Sequence, residues 1–214
     1  MKRVYKEDQE ETKETKRPCV LSTTKPYFMF FDTETDGRGS FRPFGQTVVQ
    51  VSWTLTDLEG SFINQFTSFV KGATALDYNP NNWSLDQINE GIEPMEARNK
   101  FIEAVNLVNA NDGFLVAHNI EFDISAMKSL GIPAALFKNT FCTKDKSTNI
   151  CCIPAKRGFK WPSQMELHKF LFPEREDVEQ THDARDDVNM LMENFFECFR
   201  KAKSGDIRYS QFAI

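Results

Sequence analysis

The chain has 214 residues, 40% of them apolar with 20 Phe, and a net charge of −5; this suits one domain with a real core plus appendages. No run approaches the ~18 consecutive apolar residues of a membrane span, and the first residues lack the apolar stretch of a secretory leader, so a soluble, intracellular protein with no membrane partner is expected. The acidic total argues against a protein whose main task is gripping nucleic acid, but residues 138–160 carry six Lys/Arg against Asp145 alone, and a basic stretch on an acidic body fits an enzyme that holds cations and touches a polyanion locally.

Residues 1–25 are rich in Lys, Glu and Thr with few large apolar residues, which reads as a disordered or loosely attached tail. The run Tyr27-Phe28-Met29-Phe30-Phe31 suits a strand buried on both faces. Residues 47–56 and 62–70 read as two more strands, joined by a turn at Asp57-Leu58-Glu59-Gly60. Ser84 can cap a short helix. Pro94 opens a longer one, with Ala97, Phe101, Ala104, Val105 and Val108 on one face. Phe114-Leu115-Val116-Ala117 reads as a buried strand, followed by a helix to about Leu130 that stops at Gly131. Residues 139–160 read as irregular. A helix near Ser163–Leu171 and a long one from Asp183 to about Lys201 complete a domain over 26–202, with 203–214 as a C-terminal extension. Strands in a meander, then strands alternating with helices, make a mixed sheet with helices packed on it.

The five cysteines are an odd count without a paired framework, which suggests reduced thiols. Cys142, Cys151 and Cys152 match no zinc-ligand spacing, and buried or half-buried thiols on a strand is the plainer reading.

The chemistry shows as charged residues where apolar ones belong. Asp32 and Glu34 continue the first strand and leave the face of Phe28 and Phe30. Each costs several kcal/mol to desolvate unless a cation compensates. Asp57 and Glu59 have the same spacing but sit in a turn expected to be exposed, where charge costs little. Asp123 shares a helix stripe with Ala126, Met127 and Leu130, while Asn119 can cap that helix. On the last helix the stripe is Ala184, Val188, Leu191, Phe195 and Phe199, and Asp187 falls on it. Asp183 and Asp186 are explained as an N-cap and a third-position acid favoured by the helix dipole. Four inward carboxylates on three elements point to a shared site for hard cations, two Mg²⁺ with Mn²⁺ as substitute, about 3.5–4 Å apart so as to clamp the oxygens of a phosphodiester. His182 precedes the helix carrying Asp187, and its ordinary pKa of about 6.5 suits removing a proton from water. His118 reads as a strand-end packing or hydrogen-bonding residue and His168 as a helix-surface one.

Phe31-Asp32-Thr33-Glu34-Thr35, His118-Asn119-Ile120-Glu121-Phe122-Asp123 and His182-Asp183-Ala184-Arg185-Asp186-Asp187 resemble, in order and setting, the three motifs of the DEDDh (DnaQ-like) 3′–5′ exonucleases. The resemblance covers about residues 27–200. It implies a ribonuclease-H-like α/β fold: a mixed five-stranded sheet, three antiparallel strands then parallel strands, flanked by helices. It also implies two divalent ions held by Asp32, Glu34, Asp123 and Asp187, His182 as general base, and single-stranded nucleic acid entering by its 3′ end, DNA favoured and RNA as the second choice. A DNA polymerase or replication protein is the partner it suggests. Thr35 matches the position that holds the terminal nucleotide, and Asn119 joins it as a substrate-binding candidate. Asp36 stands where many members carry Thr, which adds a negative charge near that nucleotide. Lys144, Lys156, Arg157 and Trp161 are candidates to touch the strand, through phosphate neutralisation and base stacking. Two rival readings stay open: a ribonuclease-H-like endonuclease, and a polymerase-associated binding module that keeps the fold without the chemistry.

Overall fold

A computed structural model describes residues 25–37, 47–175 and 180–214. The tail expected over residues 1–25 lies outside the described residues, Lys25 excepted, as do residues 38–46. Five strands, β1 (Phe28–Thr35), β2 (Val48–Thr56), β3 (Phe62–Phe69), β4 (Phe114–Ala117) and β5 (Thr140–Cys142), form one sheet in the order β3-β2-β1-β4-β5. β1 pairs antiparallel with β2 and parallel with β4, and β4 pairs parallel with β5. The helices are α1 (Leu85–Asn89), α2 (Pro94–Asn109), α3 (Ile120–Ser129), α4 (Thr143–Cys151), α5 (Gln164–Leu171) and α6 (Ala184–Lys203). This is the ribonuclease-H-like mixed sheet flanked by helices.

β1 is central, so alternate side chains feed two cores. Met29 and Phe31 pack with Phe101, Val105 and Met127 on the α2–α3 side. Phe28 and Phe30 pack on the α6 side, with the Phe195 ring 5.0 and 5.2 Å from theirs. Burying each such side chain contributes roughly 1.5–3 kcal/mol, so β1 and α6 are firmly fixed to each other. Residues 207–212 add a short 3-10 turn whose Tyr209 and Phe212 are buried in the same α6-side core.

Two expectations needed correction here. Residues 139–160 contain β5 and α4 rather than irregular chain. α4 buries Thr143, Ser147 and Ile150, so two of its three inward positions carry small polar residues and the apolar stripe that reveals a helix is broken. Cys142 accordingly ends a strand, but Cys151 lies on α4 and Cys152 is its exposed, left-handed C-cap. His168 is not on the surface: it is 1% exposed, and its Nδ1 lies 2.8 Å from Asn194 Oδ1 on α6.

Candidate active site

The α6-side face of β1 turns from Phe28 and Phe30 to Asp32 and Glu34, and there a cleft of about 450 Å³ opens. Asp32, Glu34, Thr35, Asn119, His182 and Asp187 line it, with Gly37, Tyr78, Phe122 and Gln180. Asp123 arrives from the other side of the sheet. It is 1% exposed, and its Oδ1 accepts both the Thr33 amide N–H at 3.0 Å and the Thr33 hydroxyl at 2.8 Å. Thr33 points away from Asp32 and Glu34 along the strand, so its bonds bring the Asp123 carboxylate to the end of β1 from the α3 face.

α6 delivers Asp187, and Gln50 fixes how. Gln50 sits opposite Glu34 in the β1–β2 register. Its Nε2 donates to Asp183 Oδ2 at 2.9 Å, while its Oε1 accepts the Ala184 N–H at 2.8 Å. Asp183 also caps the helix through the Arg185 N–H, as expected. One glutamine thus clamps the start of α6 beside Glu34, and one turn later Asp187 faces the same carboxylate. The Asp187 carboxylate accepts the Gln180 side-chain amide at 3.1 Å, and its backbone carbonyl accepts Gln164 Nε2 at 2.7 Å.

His182 has left-handed backbone, φ 54°, a conformation that His tolerates better than most residues but one worth attention. Its carbonyl accepts Asn81 Nδ2 at 2.6 Å, and the Tyr78 ring meets its imidazole edge-on at 6.0 Å. Tyr78 is in turn seated on Gly37, where φ is +70° and an added Cβ would lie 2.4 Å from Tyr78 Cβ. Ligand atoms of Glu34, His182 and Asp187 all lie within 4.8 Å of one another.

The electrostatics follow from this crowding. Burial, then the neighbouring Asp123, Asp187 and Glu34, hold the Asp32 carboxyl well above its usual range. Burial, then Asp187 and Asp123, push Glu34 up to about 8. Burial raises Asp123 to about 7 against the opposing bonds from Thr33, and Asp187 to about 6 against the bond from Gln180. Among the described residues no Lys or Arg is ion-paired with any of the four. Buried charges without such a partner are stabilised by metal coordination or are driven to protonate. An oxygen-rich donor set with one imidazole beside it fits divalent cations such as Mg²⁺ or Mn²⁺.

The remaining candidates divide. Asn119 is the residue before α3, but it is left-handed (φ 75°) and makes no capping bond; its Oδ1 accepts Lys144 Nζ at 2.5 Å instead. Lys144 also lies over the Trp161 ring, 4.6 Å from its centroid. Arg157 and Lys156 are exposed in the turn between Pro154 and Phe159, and no described contact joins them to the cleft. Asp36 does not line the cleft: it is buried, and its Oδ1 accepts the Thr47 N–H. Asp57 is buried rather than exposed, with Oδ1 accepting the Ser61 N–H at 2.7 Å, whereas Glu59 is exposed. Gln50, Asn81, Tyr78 and Gln180 were not singled out from sequence. Only Gln50 left a signal there, as an amide in the middle of a run of β-branched strand residues.

No family model and no curated protein matches the chain. Among solved structures it is similar to E. coli exonuclease I in complex with a dT13 oligonucleotide, at a TM-score of 0.61 and 16% identity, over 85% of this chain and 43% of that one. It is similar to exonuclease I from Methylocaldum szegediense at 0.61 and 16%, over 86% and 42%. It is also similar to the Neurospora crassa Pan2 catalytic unit, which holds protease and nuclease domains, at 0.57 and 15%, over 91% and 30%. At these identities the likeness establishes the fold. The chain spans less than half the length of each of these proteins.

Proposed function

We propose that this chain is a divalent-metal-dependent 3′–5′ exonuclease of the DEDDh type acting on single-stranded nucleic acid, DNA first and RNA second. The observation that carries this reading is the meeting of Asp32, Glu34 and Asp187 in one cleft, with buried Asp123 close enough behind them to raise their proton affinity, no described Lys or Arg paired to any of the four, and His182 lining the same cleft. The similarity to exonuclease I bound to dT13, and to a zinc-bound form of its complex with single-stranded DNA, supports both the substrate and the metal. The catalytic unit is assigned to residues 26–202, with 203–214 continuing its core. A DNA polymerase partner rests on the sequence resemblance alone.

In this mechanism the four carboxylates would hold two Mg²⁺, which would supply positive charge to the oxygens of an in-line displacement. His182 takes a proton from the attacking water. The water oxygen bonds to phosphorus, the P–O3′ bond breaks, and the products are a nucleoside 5′-monophosphate and a strand with a new 3′-hydroxyl. Thr35, which lines the cleft, is the residue that the sequence resemblance assigns to the terminal nucleotide. Asn81 and Tyr78 hold His182, and Gln50 sets the spacing of Glu34 and Asp187.

The test is a time course on 3′-labelled, 5′-labelled and circular strands with Mg²⁺. Mononucleotide release from the 3′ end is expected; cleavage of the circle instead would replace this reading with an endonuclease. As general base, His182 should be sensitive to substitution: His182→Ala should cost about a hundredfold in rate while Mn²⁺ binding is kept. A second reading makes His182 a metal ligand, favoured by its distance from Glu34 and Asp187. In that case His182→Ala weakens Mn²⁺ binding in calorimetry.

A further inference from the structure

Beyond the cleft, a hairpin leads away from Asn119. Ile153 accepts the Lys160 N–H at 2.9 Å, Gly158 accepts the Ala155 N–H at 3.1 Å, and Pro154 bridges Phe159. The hairpin ends on two large exposed aromatic side chains, Phe159 at 48% and Trp161 at 65%. Leaving an indole this open forgoes burial worth more than that of most side chains. Lys144 is shared between this ring and the cleft-lining Asn119, so the indole centroid lies within about 7 Å of Asn119 Oδ1. That distance is comparable with one nucleotide step of an extended single strand.

The spacing is held rigidly. His118, next to Asn119 at the end of β4, faces Thr143 Oγ1 through Nδ1 at 2.9 Å and the Pro162 carbonyl through Nε2 at 3.0 Å. Burial keeps this imidazole neutral, lowering its pKa to about 4, so Nε2 carries the proton and donates to Pro162. On the far side, Lys160 pairs with Glu166, the acid of the Ser163 capping box at the start of α5. The residue before Trp161 and the residue after it are therefore both anchored, and Asn119 is tied to the same frame.

We propose that Trp161, with Lys144 and Phe159, is a stacking platform for the nucleotide one or two steps behind the scissile end of a single strand, and that Arg157 at the hairpin tip meets the phosphates further back. An aromatic face accepts any base and a flanking ammonium neutralises its phosphate, which is the chemistry of sequence-tolerant single-strand binding. The lysine already poised over the ring leaves the platform pre-charged, and a strand entering along it would be aimed at Asn119 and the carboxylates. This rests on the nuclease reading for its direction, but the binding surface itself does not need catalysis.

The experiment therefore has a binding arm and a turnover arm. In Ca²⁺ buffer, an oligo-dT of about twelve nucleotides, and separately an oligo-rU, is titrated while tryptophan fluorescence is followed. The expected result is quenching in the wild-type protein that is lost in Trp161→Phe; Trp53, in the sheet core, and Trp83 remain as internal standards. A preference between dT and rU assigns DNA or RNA. In Mg²⁺, Trp161→Ala is expected to shrink the KM advantage of the twelve-mer over the p-nitrophenyl ester of thymidine 5′-monophosphate, which has no nucleotide behind the scissile bond, about tenfold, with little change in kcat. Arg157→Gln should lower the salt dependence of binding by about one phosphate contact. Quenching that persists in Trp161→Phe, or equal penalties on long and short substrates, would overturn the platform. Quenching lost in Trp161→Phe with no cleavage of any strand by the wild-type protein would keep the platform and remove the nuclease.

Discussion

Asp32-Thr33-Glu34 on β1 and Asp57-Leu58-Glu59 in the β2–β3 turn, at the opposite end of the β1–β2 pair, have the same spacing yet meet opposite fates. Asp57 is buried, but its carboxylate accepts the Ser61 N–H in a tight turn, and Glu59 is in solvent. Asp32 and Glu34 point into a cleft where the nearest charged groups are other carboxylates, and their proton affinities rise accordingly. A donor alone does not separate them, since Asp123 and Asp187 also accept bonds from Thr33 and Gln180. Crowding by other carboxylates does, because buried acids whose neighbours are acids destabilise the protein unless a cation compensates.

The largest test of that contrast is activity. Asp32→Asn and Asp187→Asn should each lower Mg²⁺-dependent hydrolysis of a labelled single strand on the order of a thousandfold, because charge stabilisation by a bound ion is worth several kcal/mol. Asp57→Asn should stay within about twofold of wild type. Comparable losses at both strings would mean that position on the sheet, and not mutual repulsion, had been misread as chemistry.

Stability without metal gives the next largest effect, with a definite sign. A carboxyl whose folded pKa is raised favours the folded state fully below its unfolded value, near 4, and that contribution is lost as pH climbs through the folded pKa. The relevant window runs from about 6 for Asp187 through about 7 for Asp123 to about 8 for Glu34. In EDTA, Asp187→Asn should thus match wild type near pH 4 and exceed it near pH 8. The excess is on the order of 2 kcal/mol, or ~4–8 °C in Tm. Adding Mn²⁺ at pH 8 should stabilise wild type and leave the variant little changed. Denaturation curves in which the variant is weaker at both pH values would show the carboxylate to be satisfied inside the protein.

Most of the site could be read because it violates a pattern. Asp32 and Glu34 extend an apolar strand, and Asp123 and Asp187 interrupt apolar helix stripes, so burial was legible for each. A shared site was expected from the same pattern, but the contacts that draw the acids together were not legible: Thr33 bonds Asp123 and Gln50 clamps α6, 90 and 133 residues apart in sequence. The strands and long helices were likewise legible by period. α4 was hidden because Thr143 and Ser147 occupy buried positions that periodicity scores as polar. His168 was misplaced although Gln164, Leu167, His168 and Leu171 do form an inward stripe, because a histidine between apolar neighbours was weighed as polar rather than by position.

A middling effect is expected at Asn81. It touches no substrate position and acts only through the carbonyl of His182. Removing one hydrogen bond that holds a left-handed backbone should cost about 1 kcal/mol, so Asn81→Ala should slow turnover about fivefold in kcat with KM little altered. In a His182→Ala background the same change should cost nothing further. An additive loss would place Asn81 in general stability instead.

The smallest effect sharpens the contrast most, because it isolates a buried acid that has no cation to hold. Asp57→Ala leaves the Ser61 N–H without its side-chain acceptor, at a cost of about 1–2 kcal/mol, or ~2–8 °C in Tm. That deficit should be the same in EDTA and in Mn²⁺ and should not change between about pH 6 and 8, while hydrolysis at a temperature well below Tm stays within about twofold of wild type. A metal-dependent deficit at Asp57 would mean that the β2–β3 turn also reaches the ions, and the division between the two acidic strings would have to be redrawn. A constant deficit leaves the distinction where the neighbours put it: the Asp57 carboxylate is held by its turn, whereas those of the cleft are crowded by one another.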